Sequence, residues 1–98
     1  MVEIRKTRPY SEWFDSLRDR QTQRRIDARV FRLAQGNPGQ RRELTGGVVE
    51  MKFDFGPGLR VYFTQRGTEL VLLLIGGDTS TQQQDIEAAL RLAKEWQS

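Results

Sequence analysis

The chain has 98 residues and 11.4 kDa, with 16 Lys+Arg against 13 Asp+Glu and neither His nor Cys. That length suits one domain, residues 1–98, with a modest core and no room for a separate cofactor domain. The missing Cys and His exclude disulfide scaffolds, Cys- or His-ligated metal, iron–sulfur clusters, thiol catalysis and a Ser-His-Asp triad, leaving proton transfers to Lys, Tyr, Asp, Glu or substrate groups.

Val2 and Ile4 alternate with Glu3 and Arg5, which predicts a short first strand closed by Pro9. Ser11 is the expected N-cap of a first helix carrying Trp13, Phe14 and Leu17 on its apolar stripe. That stripe loses phase at Gln21 and Arg24 and resumes at Ile26, Val30 and Leu33. The break predicts a kink or two helices meeting between Asp19 and Thr22. Gly36 ends the second helix, and Asn37-Pro38-Gly39 is loop.

The second arm carries Arg24, Arg25, Arg29 and Arg32. It belongs to a basic half: residues 1–45 hold 11 cations and 6 anions, residues 46–98 hold 5 and 7. Thirteen of the basic residues are Arg, whose fixed fork of donors suits phosphate and carboxylate. Such an arm follows a phosphate backbone or meets an acidic partner; read blandly, it is a solvated helix face.

From Gly47 the period changes to two. Gly56-Pro57-Gly58 as a three-residue loop pairs Phe55 with Leu59 and Lys52 with Tyr62. Glu50, Lys52, Asp54, Arg60, Tyr62 and Thr64 then share one face. On that face Lys52 and Arg60 can clamp a phosphate and Tyr62 can stack on a base or give a proton, although an edge hairpin carrying an Asp54–Arg60 ion pair has the same pattern. Residues 69–75 are almost wholly apolar, as in a central strand covered on both faces. Gly76-Gly77 then makes a tight turn, with Asp78, Ser80 or Thr81 capping a last helix from about 82 to 96 that presents Ile86, Ala89, Leu90, Ala93 and Trp96. The predicted order is β-α-α-β-β-β-α, an α+β domain with helices on a small, mainly antiparallel sheet. No charge-free apolar leader precedes it and no run is long enough to span a bilayer, so a cytoplasmic protein is expected.

Phe14, Leu17, Arg29, Arg32, Leu33 and Gly36-Asn37, followed by Gly47-Val48-Val49-Glu50-Met51-Lys52, by Gly56-Pro57-Gly58-Leu59-Arg60-Val61-Tyr62-Phe63 and by Leu72-Leu73-Leu74-Ile75-Gly76-Gly77-Asp78 with Ser80-Thr81-Gln82 and Asp85-Ile86, occur in order over nearly the whole chain. In these residues the chain resembles the phage-Gp49-like family of addiction module killer proteins, within the RelE/ParE toxin superfamily. The resemblance implies a RelE/ParE-like α+β toxin of a type II toxin–antitoxin module, with the helical hairpin on one side of the sheet. It implies an endoribonuclease that cuts mRNA, in the ribosome or free, or alternatively a ParE-like gyrase poison or a weakened toxin acting through its antitoxin. It places Arg60, Lys52 and Tyr62 in the catalytic site; the basic arm with Arg25, Arg29 and Arg32, together with Asp78 and Gln82, is the expected contact for RNA or partner. The implied partners are an adjacently encoded helix-turn-helix antitoxin, mRNA and the ribosome; no cofactor, metal or membrane is implied. The chain departs from the family where relatives often carry Lys after Gly-Gly-Asp: here the residue is Thr79.

Overall fold

A computed structural model describes residues 1–97. Along the chain lie β1 (Glu3–Lys6), α1 (Arg8–Ser16), α2 (Arg20–Ala34), β2 (Arg41–Glu43), β3 (Val48–Lys52), β4 (Arg60–Arg66), β5 (Leu70–Gly77) and α3 (Gln82–Gln97). The strands form one sheet in the order β1-β5-β4-β3-β2, with β1 parallel to β5 and the other pairs antiparallel. The α+β class holds, with a strand, β2, that the sequence pattern does not announce.

The helices start where side-chain acceptors meet their free amides. Thr7, not Ser11, caps α1: its hydroxyl accepts from the Tyr10 amide (3.0 Å). Pro9 therefore sits inside the first turn, where its missing N–H costs nothing, and does not stand as a barrier between strand and helix. The phase break is a true interruption. Asp19 caps α2, accepting from the Gln21 amide (3.0 Å) and the Thr22 hydroxyl (2.9 Å), and the Thr22 bond leads in holding its carboxyl below the usual range. Gln23 closes the junction by donating to the carbonyls of Phe14 (2.9 Å) and Leu17 (3.3 Å). Gly36, at φ 93°, ends α2 in the left-handed conformation.

The sheet separates two apolar layers. On one side Met51, Phe53, Val61, Phe63, Val71 and Leu73 pack with Tyr10, Ile26, Val30 and Leu33 of α1 and α2. On the other, Val48, Tyr62, Leu72 and Leu74 meet Ala89 and Ala93 of α3. β5 lies inside the sheet with Val71, Leu72, Leu73 and Leu74 all buried, as its unbroken apolar run requires.

Gly76 and Gly77 are not a turn. They end β5 and are small because of what crosses them: a side chain on Gly76 would overlap the Trp13 ring, and one on Gly77 the Asp85 carboxylate. Asp78 then starts the 3₁₀ turn Thr79–Thr81 that leads into α3, accepting from the Ser80 amide (2.8 Å).

The β3–β4 register differs from the expected one. Lys52 faces Arg60 and Glu50 faces Tyr62, and the connection runs through residues 54–58. The shift is two residues, so each side chain keeps its face. Asp54 leaves the ladder, and the Asp54–Arg60 pair does not form among the described residues.

Candidate cationic cleft

Three adjacent strands build a cleft on the α3 side. β2 brings Arg41 and Arg42, β3 brings Glu50 and Lys52, β4 brings Arg60, and the start of α3 brings Gln82. With Gln40 they line a hollow of about 240 Å³. The pairings Arg42 with Glu50 and Lys52 with Arg60 follow from the register of the sheet. Lys52 and Arg60, expected on one strand face, thus come together, and Gln82 of the separately expected contact set joins them.

The centre of the cleft is Glu50, 4 % exposed. Arg42 Nη2 lies 3.2 Å from Glu50 Oε1, Arg60 Nε lies 3.7 Å from Oε2, and Gln82 Nε2 donates to Oε2 (3.0 Å). A buried carboxylate survives only with such partners. Arg60 is itself 8 % exposed and is held from both ends: Nη1 donates to the Thr79 hydroxyl (2.7 Å) and to the Gly58 carbonyl (3.0 Å). Thr79 therefore orients the guanidinium. Arg42 and Lys52 are exposed at the mouth. Four cations against one carboxylate leave the cleft strongly positive, which suits a phosphate or another anion.

Tyr62 shares the face but not the opening. It is fully buried under α3, and its hydroxyl lacks a hydrogen-bond partner. Burial first, and then the Glu50 carboxylate, push its pKa above the usual phenol value. Tyr10, buried on the other side of the sheet, is raised mainly by burial, with Asp27 second. The consequence is alkaline sensitivity. An unfolded tyrosine ionises near pH 10. The folded ones hold their protons higher, so above that pH the native state binds more protons than the unfolded state and stability falls as pH rises. Each phenol contributes about 1.4 kcal/mol of loss per pH unit above 10. Urea titrations from pH 8 to 11.5 should show this slope, and Tyr62→Phe should lessen it with little cost at pH 7, since the buried hydroxyl is unpaired. An unchanged slope in Tyr62→Phe would remove Tyr62 from this account.

The other expected contacts lie elsewhere. Asp78 caps its turn, and the Ser80 hydrogen bond leads in lowering its pKa. Arg25, Arg29 and Arg32 line a separate recess of about 270 Å³ with Phe53, Asp54 and Phe55. Arg29 there is a tie between segments. It donates to the carbonyls of Lys52 (3.0 Å), Pro38 (3.1 Å) and Gln40 (3.2 Å) and lies 4.5 Å from the Phe53 ring centre. Burial first, then Arg32, lower its pKa from the usual guanidinium value. Arg25 covers Phe55 at 4.8 Å, and Arg32 is exposed. Sequence reasoning missed Gln40, Arg41 and Arg42 of the cleft, and Arg42, paired with Glu50, is the one that matters most. Its one signal is Arg41-Arg42-Glu43 between Gly39 and Gly46: a short third strand there would set Arg42 opposite Glu50.

Comparison with known proteins gives one full-length match: the chain is 38% identical over 94 residues to an uncharacterized protein of Haemophilus influenzae, spanning 96% of this chain and 95% of that one. The chain belongs to that protein's family. No family model matches the chain. No solved structure matches it either. The family assignment brings no activity with it, so the chemistry rests on the cleft. Among the described residues there is no group of three or more carboxylates placed to hold a metal ion, and no helix is long and apolar enough to cross a membrane. What the cleft offers is a fixed guanidinium, two more at the rim, one primary amine and a buried carboxylate that offsets only part of their charge. That set has the charge and the donors to receive an anion.

Proposed function

We propose that the protein is a toxin of the RelE/ParE type that acts in the cytoplasm by cutting mRNA in the Arg42–Lys52–Arg60 cleft, and that an adjacently encoded antitoxin restrains it. The supporting observation is the fixed, buried Arg60 guanidinium lining one cleft with the exposed cations Arg42 and Lys52. In this reading Arg60 and Arg42 hold the scissile phosphate and stabilise the added charge as the ribose 2′-hydroxyl, its proton passing to solvent, attacks the phosphorus and closes a 2′,3′-cyclic phosphate. Lys52 is the amine at the mouth and carries the exchangeable proton given to the departing 5′-oxygen. Tyr62, sealed beneath α3, takes no direct part and supports the floor of the site.

The burial of Tyr62 favours a second reading, in which catalysis is weak and the fold acts by binding an antitoxin. Induced expression separates them. With the neighbouring reading frame absent, the wild-type chain should arrest growth and leave cut mRNA. Lys52→Ala should lower cleavage by about a hundredfold, and the double change with Arg60→Ala should abolish arrest. Growth arrest that persists in the double variant would sink the nuclease reading. A wild type that stops translation neither in cells nor in an extract would support the binding one.

A further inference from the structure

β1 is an edge of the sheet, paired with β5 on one side only. In a parallel ladder, successive residues point their backbone groups to opposite sides. The amides of Glu3 and Thr7 donate to Glu69 (2.9 Å) and Leu73 (3.0 Å). The intervening Ile4 and Lys6 therefore direct their N–H and C=O groups outward, away from β5. Beside this edge runs a groove of about 480 Å³ between β1 and α2, floored by Val2, Ile4 and Val30 and flanked by Met1 and Phe31, which are 86 % and 56 % exposed. An open edge with an apolar flank is a template for another strand.

The sequence of the edge states which strand fits. Place a second β1 antiparallel about Ile4, so that residue i of one copy faces residue 8 − i of the other. Ile4 then faces Ile4, and their outward N–H and C=O groups exchange both hydrogen bonds across a two-fold axis. Glu3 faces Arg5 of the second copy, and Arg5 faces its Glu3, in the closely spaced positions where opposite charges attract. Val2 faces Lys6. Register, hydrogen-bond direction and charge agree in this one arrangement, and a one-residue slip would destroy all three. Within one chain Arg5 Nε lies 2.8 Å from Glu3 Oε2, and both side chains are more than half exposed, so both are available to a neighbour.

We infer that the protein forms a two-fold dimer by pairing β1 with β1, joining two sheets into one of ten strands. The cleft lies on β2, β3 and β4, toward the opposite edge, so dimerisation leaves both copies of it open. The inference is independent of what the cleft does.

The charge pairing supplies a test that loss of folding cannot imitate. Sedimentation of the full chain should give a mass twice 11.4 kDa. Glu3→Arg puts cations at both positions 3 and 5, and Arg5→Glu puts carboxylates at both. Each variant alone should weaken the dimer by at least about tenfold, because both cross-strand pairs become repulsive. Mixing the two variants should restore it, since each cation then faces a carboxylate. The combined Glu3→Arg/Arg5→Glu chain should dimerise like the wild type. A wild type that remains monomeric, its edge then left for a strand of another protein, would overturn the inference. So would single variants that dimerise normally, or a mixture that stays monomeric.

Discussion

Glu50→Ala should lower the unfolding free energy by about 3–5 kcal/mol, the cost of removing one partner from a buried ion pair. The carboxylate is 4 % exposed and Arg60 8 %. Taking the carboxylate away leaves the Arg60 guanidinium with two neutral acceptors, Thr79 and Gly58, and no counter-charge. Gln82 also loses its acceptor. Arg42 loses little, because its side chain is 58% exposed and water replaces the pair. Glu50→Gln keeps the shape and an acceptor oxygen but not the charge, so it should fall between wild type and alanine. A small domain holds only about 5–15 kcal/mol in all, so the alanine variant should unfold at much lower urea. The opposite pattern, with Glu50→Ala harmless and Arg42→Ala severe, would mean that Glu50 serves the rim and not the buried guanidinium.

The legible parts of the fold are those written in side-chain periodicity. The continuous apolar run in β5, a phase break between two helices and the alternation in β3 and β4 each follow from burial on a known face, and the structure has all three, with the break falling at residues 17–19, just ahead of the expected Asp19 to Thr22. The turn length was less legible. Gly56-Pro57-Gly58 advertises a three-residue loop, yet the chain also turns at Asp54 and Phe55, because Phe53 still pairs with Leu59 through its amide (3.0 Å). β2 has no apolar residue and three exposed side chains, so no burial pattern marks it, and Arg42 was lost with it. For the site, alternation placed Lys52, Arg60 and Tyr62 on one face correctly but could not say what covers that face. α3 covers Tyr62 and leaves Lys52 open, and only the crossing of the helix decides between them. Arg29 shows the same limit. An Arg on a basic helix reads as a ligand for anions, and its three carbonyl acceptors lie 9, 11 and 23 residues away in sequence.

Gly76→Ala should be the most damaging single methyl group in the chain after Gly77→Ala, costing about 3 kcal/mol. The reason is local. Both residues have ordinary strand backbone, so the added carbon brings no φ strain, but at Gly76 it would occupy the volume of the Trp13 ring. Trp13 packs on the core beside Tyr10, its ring 5.7 Å away, and cannot move without disturbing α1. Gly67→Ala is the control. There the space is empty and φ is +56°, so the penalty is conformational alone, about 1–2 kcal/mol. The two mechanisms separate in a double-mutant cycle. Trp13→Leu opens the space that the new methyl needs, so Gly76→Ala should cost about 1–3 kcal/mol less in that background than in the wild type, whereas Gly67→Ala should cost the same in both. Urea unfolding of the six chains measures every term. Additive costs at Gly76 and Trp13 would show that the glycine is required for something other than the ring that crosses it.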